Sequence, residues 1–398
     1  MSGAAFGLRL APVDVWMLRE SRPFGDASRL SRSELPTPRT AAGAVRTWLL
    51  AGLGADFGKL RRTARARGQT AEFSLRGALE DCVPQEARWV LDTRFVGPLL
   101  EQHELAYFPA PRHLAPPPTQ DDPDVLWRKL RPAVAPPAGA APNGAPGGFL
   151  ACEPAGPAGG EPWAEAPERY LDHFRMREAL SQREEFHAGA ADSLFGFETR
   201  VGLALLPGER KAEEGKLYAQ SYLRPARGTC LRVDLLPPGN ETAVALDRVR
   251  ALVAERPYLR LGGEGRLARV EVVDSPVELP AAGEWPPPDG RFLTCLATPA
   301  LLPQGRWIPG SLADRFDLVG AVAGPPQAVP GWRVAAGVPE RSLFALPAGS
   351  VHFWKVRDRD NPGPDPHGTV ACDPGASPED VYDPLAGWGL VLRGEWPG

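Results

Sequence analysis

TCLRVDLLPPGNETAVALDRVRALVAERPYLRLGGEGRLARVEVV, residues 229–273, decides the fold class. It begins inside an extended stretch, Lys216–Leu236, which Pro225–Gly228 breaks into a predicted hairpin. Thr242–Glu255 then places Leu246, Val249, Leu252 and Val253 on one side, the spacing of an amphipathic helix. Leu259–Arg266 is a glycine-rich turn, and Leu267–Val273 alternates as a strand. Downstream, Arg291–Pro299, Ser342–Leu346, Ser350–Val356 and Trp388–Arg393 read as strands, as does Phe195–Leu206 upstream. The second half is thus strand-rich around a single clear helix, which predicts α+β rather than a doubly wound sheet.

Towards the N-terminus, residues 6–18 read as an edge or bulged strand because Pro12 interrupts them. Thr40–Leu53 is a predicted helix with Thr40 as N-cap and Val45, Trp48, Leu49 and Leu53 at helical spacing. Glu86–Phe95 and Leu105–Phe108 read as strands, and Glu168–Leu180 as an amphipathic helix. Residues 109–168 are dominated by Pro, Gly and Ala and are expected to form an insertion with little regular structure. The economical layout for these elements is ferredoxin-like, βαββαβ.

With 398 residues, 43% hydrophobic and 24% charged, the composition is that of an ordinary globular chain of two or three domains. No apolar run is long enough for a transmembrane helix, and the N-terminus lacks a signal-peptide h-region. The five cysteines, at 82, 152, 230, 295 and 372, are too dispersed for a disulfide framework or a CxxC zinc site, so reduced thiols in a cytoplasmic protein are expected. The net charge of -4 excludes a uniformly basic nucleic-acid coat. Residues 1–80 nonetheless hold 13 Lys/Arg against 7 Asp/Glu, an excess of six, and KLRRTARAR occupies 59–67. A polyanion site belongs there first.

No HExxH, GxSxG or Walker A motif occurs, and the six histidines form no ligand cluster. Residues 19–39 form an arginine-rich loop that leads into the Thr40 helix. Helix N-terminal amides suit phosphate, Arg39 and Arg46 flank that end, and Gly43 would allow close approach; the bland alternative is a solvated loop and a packing glycine. In LRLGGEGRLARVE, 259–271, successive amides could cup an anion beside Arg260, Arg266 and Arg269, although a tight helix-to-strand connection uses glycines too. Gly387 and Gly389 in GWGLVLRGEW would admit a ligand or neighbouring chain, or simply close an edge strand.

PVDVWMLRESRPFG (12–25) followed by LPTPRTAAGAVR (35–46) resembles the N-terminus of RAMP-superfamily proteins, in the branch found in the type III-B (Cmr) CRISPR effector complex. Glu20 and Ser21 stand where that pattern has Asp-Gly. FGFETRVGLAL, RKAEEGKLYAQSYLRP, LGGEGR, LATPALL and LPAGSVHFW continue the resemblance in order. The resemblance implies two ferredoxin-like (RRM-like) RAMP domains, at 1–190 (carrying the 109–168 insertion) and 191–398. It implies a non-catalytic subunit that binds the repeat-derived 5′ handle of the guide RNA. Its implied protein partners are the large polymerase-palm subunit and neighbouring backbone RAMP subunits. It implies no cofactor, no metal and no membrane contact. The handle contacts expected here are Arg22, Arg39, Thr40, Gly43, Arg46, Gly262, Gly263, Gly265 and Arg266. The competing readings are a metal-independent RAMP endoribonuclease, with His103, His113 or His187 as base, and a protein-only scaffold.

Overall fold

In the computed structural model, residues 5–18, 33–67, 75–116, 126–132, 152–154, 169–187, 193–205, 211–302, 307–333, 338–372 and 383–396 are described. In chain order the elements are β1 (Phe6–Pro12), α1 (Pro38–Gly52), α2 (Phe57–Arg67), α3 (Leu75–Glu80), α4 (Trp89–Asp92), β2 (Arg94–Gln102), β3 (Leu105–Pro109), β4 (Leu114–Ala115), β5 (Leu126–Pro132), β6 (Cys152–Pro154), β7 (Tyr170–Asp172), α5 (His173–Ala179), β8 (Glu185–His187), β9 (Phe195–Leu205), β10 (Ala212–Pro225), β11 (Thr229–Leu236), α6 (Thr242–Glu255), β12 (Tyr258–Arg260), β13 (Leu267–Val273), β14 (Arg291–Leu296), β15 (Ala300–Leu301), α7 (Gly310–Ala313), β16 (Phe316–Val322), β17 (Gln327–Arg333), β18 (Val338–Leu346), β19 (Val351–Val356) and β20 (Val391–Gly394). None of the helices is long and apolar enough to cross a membrane.

Alternation along β1 sets the first layer. Phe6, Leu8 and Leu10 point into one core with Leu231, Val233 and Leu235 of β11 and Ala268 and Val270 of β13. α1 and α6 cover that face with Ala41, Val45, Leu49, Ala245, Val249 and Leu252. A one-residue slip in any of these strands would turn its apolar set outward, so the register is strongly specified. The opposite face is charged: Arg9 pairs with Glu101, and Arg232 Nε donates to Asp234 Oδ1 at 2.6 Å. The sheet runs β12-β13-β1-β11-β2-β3-β7, antiparallel throughout. It draws strands from both sides of residue 190, because β11 inserts between β1 and β2.

A second antiparallel sheet runs β16-β19-β14-β20. Its residues Leu293, Cys295, Val351, Phe353 and Leu392, with Leu390 just before β20, pack with Val96, Leu99, Phe108, Leu171, Met176 and Phe186 of the first half in a shared core. The architecture is mixed α+β, as expected. α6 occupies the residues its periodicity predicts.

Other elements differ from expectation for local reasons. Helix α1 starts at Pro38 with Thr37, not Thr40, as N-cap: Thr37 Oγ1 accepts from Thr40 N at 3.3 Å, and Pro is tolerated in the first turn, where no amide partner is needed. Glu86–Phe95 is not one strand. Gln85–Ala87 forms a 3₁₀ turn and Trp89–Asp92 a helical turn, which buries the consecutive Trp89, Val90 and Leu91. Glu168–Leu180 divides into β7 and α5 because Asp172 Oδ1 accepts from Phe174 N and Arg175 N, both at 2.9 Å, and so caps the helix. No hairpin joins β10 to β11; β10 pairs with β9. Within 109–168, β5 pairs with β4, β6 and β8 and is more regular than expected.

Two histidines are sealed inside. Burial holds His352 near pKa 4 while its Nε2–H donates to Trp307 O at 2.9 Å. Burial, then the Lys129 ammonium, pushes His113 to about 3. An unfolded imidazole titrates near ~6.5, so the folded state keeps its full stability above that pH and loses it as pH falls towards 4. Urea unfolding at stepped pH should therefore show stability dropping below about pH 6.5, by up to ~1.4 kcal/mol per pH unit for each histidine. His352→Gln should flatten that slope by one proton; an unchanged slope would place the proton uptake elsewhere.

Candidate nucleic-acid interface

Beyond β1 the chain continues through Val13–Leu18 along the edge of β10. Trp16 and Leu223 exchange backbone hydrogen bonds at 2.9 and 3.0 Å. Gly263 N donates to Met17 O at 2.7 Å, docking the glycine-rich turn on the same segment. Glu34 N donates to Leu18 O at 3.0 Å, and Ser33 Oγ donates to Ser221 O at 2.7 Å. Both anchors of the arginine-rich loop, Leu18 and Ser33, therefore sit at one junction with β10 and the glycine-rich turn. α1 begins five residues later. Arg22 lies outside the described residues.

The arginines nearest this junction already have partners. Arg39 Nε donates to Asp383 Oδ1 at 2.8 Å and its Nη2 to Oδ2. Asp383 is buried and also accepts from Trp388 Nε1 at 3.2 Å. Arg46 is buried, with its guanidinium 4.9 Å from the centre of the Phe95 ring. Arg266 reaches Asp14 at 3.2 Å and Glu264 at 3.1 Å. Asp14 also accepts from Arg200 and Arg224, which share Glu198 as well. Hydrogen bonding and charge from Arg200 and Arg224 hold the Asp14 carboxyl below its usual range. Tyr222 lies against two of these guanidiniums, Arg200 at 4.9 Å and Arg266 at 5.1 Å, and its hydroxyl donates to Glu264 Oε2 at 3.0 Å.

The glycines divide into two kinds. A Cβ on Gly262 (φ +87°) would stand 2.5 Å from Met17 O, and one on Gly263 2.4 Å from Met17 Sδ. Their smallness serves the chain's own packing. Gly265 (φ +67°) and Gly43 face open space. On α1, Thr40, Gly43, Ala44 and Thr47 recur at helical spacing and are all at least partly exposed, a face of small side chains rising from the junction. Gly387 is likewise occupied from within: its Cβ would meet Phe95 O and Gly97 O, both at 2.8 Å.

The histidines weighed as bases are not gathered. His113 is sealed, His103 sits in the β2–β3 turn at φ 50°, and His187 ends β8. A cleft of about 510 Å³ beside His103 includes Asp14, Glu101, Glu104 and Glu271 against Arg9 and Arg227, a net acidic lining that disfavours phosphate. Sequence reading placed a polyanion site in residues 1–80 without singling out α2, where Arg61, Arg62 and Arg65 are exposed. The signal was the run KLRRTARAR with no acid in it. It also passed over an apolar stripe on β9, where Phe197, Val201 and Leu203 are exposed; their alternation with Glu198, Arg200 and Gly202 was legible.

The model of a family described as CRISPR-associated protein (Cas_Cmr3) matches residues 8–396. The chain belongs to this family. The type III effector subunit that the sequence resembles is thereby the correct one. No curated protein matches this Cas_Cmr3 member. Among solved structures it is similar to a chain of the type III-B Cmr-beta complex bound to cognate target RNA and AMPPnP (14% identity, 87% of this chain and 86% of that one, TM-score 0.47). It is also similar to a chain of the Csm3-Csm4 subcomplex of the type III-A interference complex (10%, 89% and 93%, 0.38) and to one of the Csm1-Csm4 cassette with AMPPNP (11%, 87% and 87%, 0.33).

Asp14, just past β1, is the shared acceptor that ties Arg200 of β9, Arg224 of β10 and Arg266 of the glycine-rich turn in this family member. Asp14→Asn keeps the shape and removes the charge. Hydrogen exchange should accelerate at the amides of Trp16, Leu223 and Gly263 and stay unchanged in α6. Unchanged exchange at all of them would show that the network does not brace the junction.

Proposed function

We propose that this chain is the non-catalytic subunit of a type III-B effector that holds the 5′ handle of the guide RNA. In this reading it also bridges the large polymerase-palm subunit to the backbone RAMP subunits. The observation that carries the reading is the convergence of the arginine-loop anchors, the α1 face and the glycine-rich turn at one junction. RNA with splayed bases is held by phosphate contacts and by close backbone approach, and Gly43 and Gly265 leave room for both. The absence of any gathered pair of histidines among the described residues favours binding over strand cleavage, which needs a placed acid and base.

Two ferredoxin-like units fit the same reading. Both β13-β1-β11-β2 and β20-β14-β19-β16 order their strands as fourth, first, third, second, with helices in the crossovers of the first. On this division the units meet between Val273 and Arg291 rather than at residue 190. The exposed stripe of Phe197, Val201 and Leu203 supports contact with a neighbouring subunit. The protein-only scaffold reading retains one observation in its favour: Arg39, Arg46 and Arg266 are committed to internal partners.

The deciding experiment co-expresses the chain with its large subunit and titrates a handle-bearing guide RNA against a scrambled-handle control. Preference for the handle supports anchoring; equal binding supports the scaffold. Gly43 supplies a sharper test. Gly43→Ala fills open space in a helix interior and should raise stability by about 0.5–1 kcal/mol, yet weaken handle binding. Gly43→Glu should weaken it further. Handle affinity unchanged by Gly43→Glu would remove the α1 face from the interface.

A further inference from the structure

The strongest unabsorbed feature is α2. Lys59, Arg61, Arg62, Arg65 and Arg67 give this helix five cations and no acid. Leu60 and Ala64 are buried, which fixes the helix against the body of the protein. Its N-terminus is satisfied internally: Asp56 Oδ1 accepts from Lys59 N at 2.8 Å, and Lys59 Nζ donates to Asp81 O at 2.7 Å. Arg61, Arg62 and Arg65 lie on the outward side. Arg61 and Arg65 are one turn apart, and Arg62 and Arg65 are also neighbours at i,i+3. Arg62 has only a loose approach to Asp56, at 3.9 Å with both side chains mostly exposed. Among the described residues, Arg61 and Arg65 have no ion pair.

Like charges at i,i+4 cost a helix about 0.2–0.5 kcal/mol per pair, and among the described residues no carboxylate pairs with Arg61 or Arg65 to offset that cost. The contrast with the junction is sharp. There the arginines are matched by Asp14, Glu198, Glu264 and Asp383; on α2 the guanidiniums face solvent in a chain whose net charge is -4. Arginine forks match phosphate oxygens in a bidentate way. In the chain, α1 lies between the two places: its 15 residues, about 22 Å of helix, run from the junction end to the turn that leads into α2. No exposed aromatic ring accompanies the three arginines on α2, so this surface has charge for a backbone and nothing to stack on a base.

We propose that Arg61, Arg62 and Arg65 form a second RNA contact, which grips the phosphodiester backbone without reading sequence and lies apart from the handle-reading junction. The inference rests on the RNA-holding role proposed above. Its ligand is a single-stranded stretch of RNA beyond the handle.

The test uses the full chain with a labelled handle-bearing RNA and a scrambled-handle RNA, titrated between about 50 and 200 mM salt. The triple variant Arg61→Ala, Arg62→Ala, Arg65→Ala changes only exposed positions and should melt like the parent. It should weaken both RNAs by the same factor, about tenfold or more at low salt, and flatten the log–log salt slope by about 2 for three lost phosphate contacts. The triple Arg→Lys variant should recover the slope. Preference for the handle should survive in all three proteins. That separates the two ideas: loss of preference in the parent would overturn the handle reading, whereas unchanged affinity and slope in the alanine variant would overturn this one. The alternative occupants, an acidic peptide or a phosphatidylserine vesicle, serve as controls; a variant that loses either of them while keeping RNA also overturns the proposal.

Discussion

The buried carboxylate of Asp383 is the constraint on which the molecule's two halves depend. It accepts from Arg39 in the first turn of α1 and from Trp388 near the C-terminus. Beside it, Gly387 brings the chain so close to β2 that a single Cβ would touch two of its carbonyl oxygens. A buried carboxylate is tolerable only when its charge and its lone pairs are matched, and removal of one partner typically costs about 3–5 kcal/mol. The pair is therefore a specifying contact. It tells the C-terminal segment where to land, and the shared core of Val96, Leu99, Leu293, Phe353 and Leu392 then closes around that placement.

The same logic governs the junction. Asp14, Glu198 and Glu264 neutralise Arg200, Arg224 and Arg266, and Tyr222 lies against two of the guanidiniums. Partly exposed pairs of this kind contribute little energy singly. Their effect is directional, because long side chains locked in a network hold β10, the strand edge at Asp14 and the glycine-rich turn in one relative position. The RNA contact proposed at this junction would draw on such rigidity. Phosphate contacts fix register only when the amides and glycines around them do not move.

This explains what the sequence disclosed and what it hid. α6 was legible because its apolar spacing is clean and its packing follows from it. The alternating strands β1, β11 and β13 were legible in kind, but β11's place between β1 and β2 was not, since strand pairing is decided by partners distant in sequence. Trp89–Leu91 misled because three consecutive apolar residues suit a fully buried strand as well as a helical turn. At the site, the sequence singles out Gly43, Gly262 and Gly263, but only the structure shows that Met17 fills the space beside the latter two while Gly43 is open. The arginines were counted correctly as a local excess. Their availability was not readable, because Asp383 lies 344 positions from Arg39 and Asp14 lies 252 from Arg266.

The distribution of guanidiniums thus has two purposes that composition cannot separate. Where arginine meets carboxylate, it shapes the protein; where it meets solvent, its field remains for a ligand. An acidic chain can carry both because acids sit beside the structural arginines while α2 itself carries none. Net charge consequently says nothing about whether this chain can hold a polyanion. What decides it is the charge left unpaired within the fold, and among the described residues Arg61 and Arg65 keep theirs where KLRRTARAR coils into a helix with its apolar side, Leu60 and Ala64, turned inward.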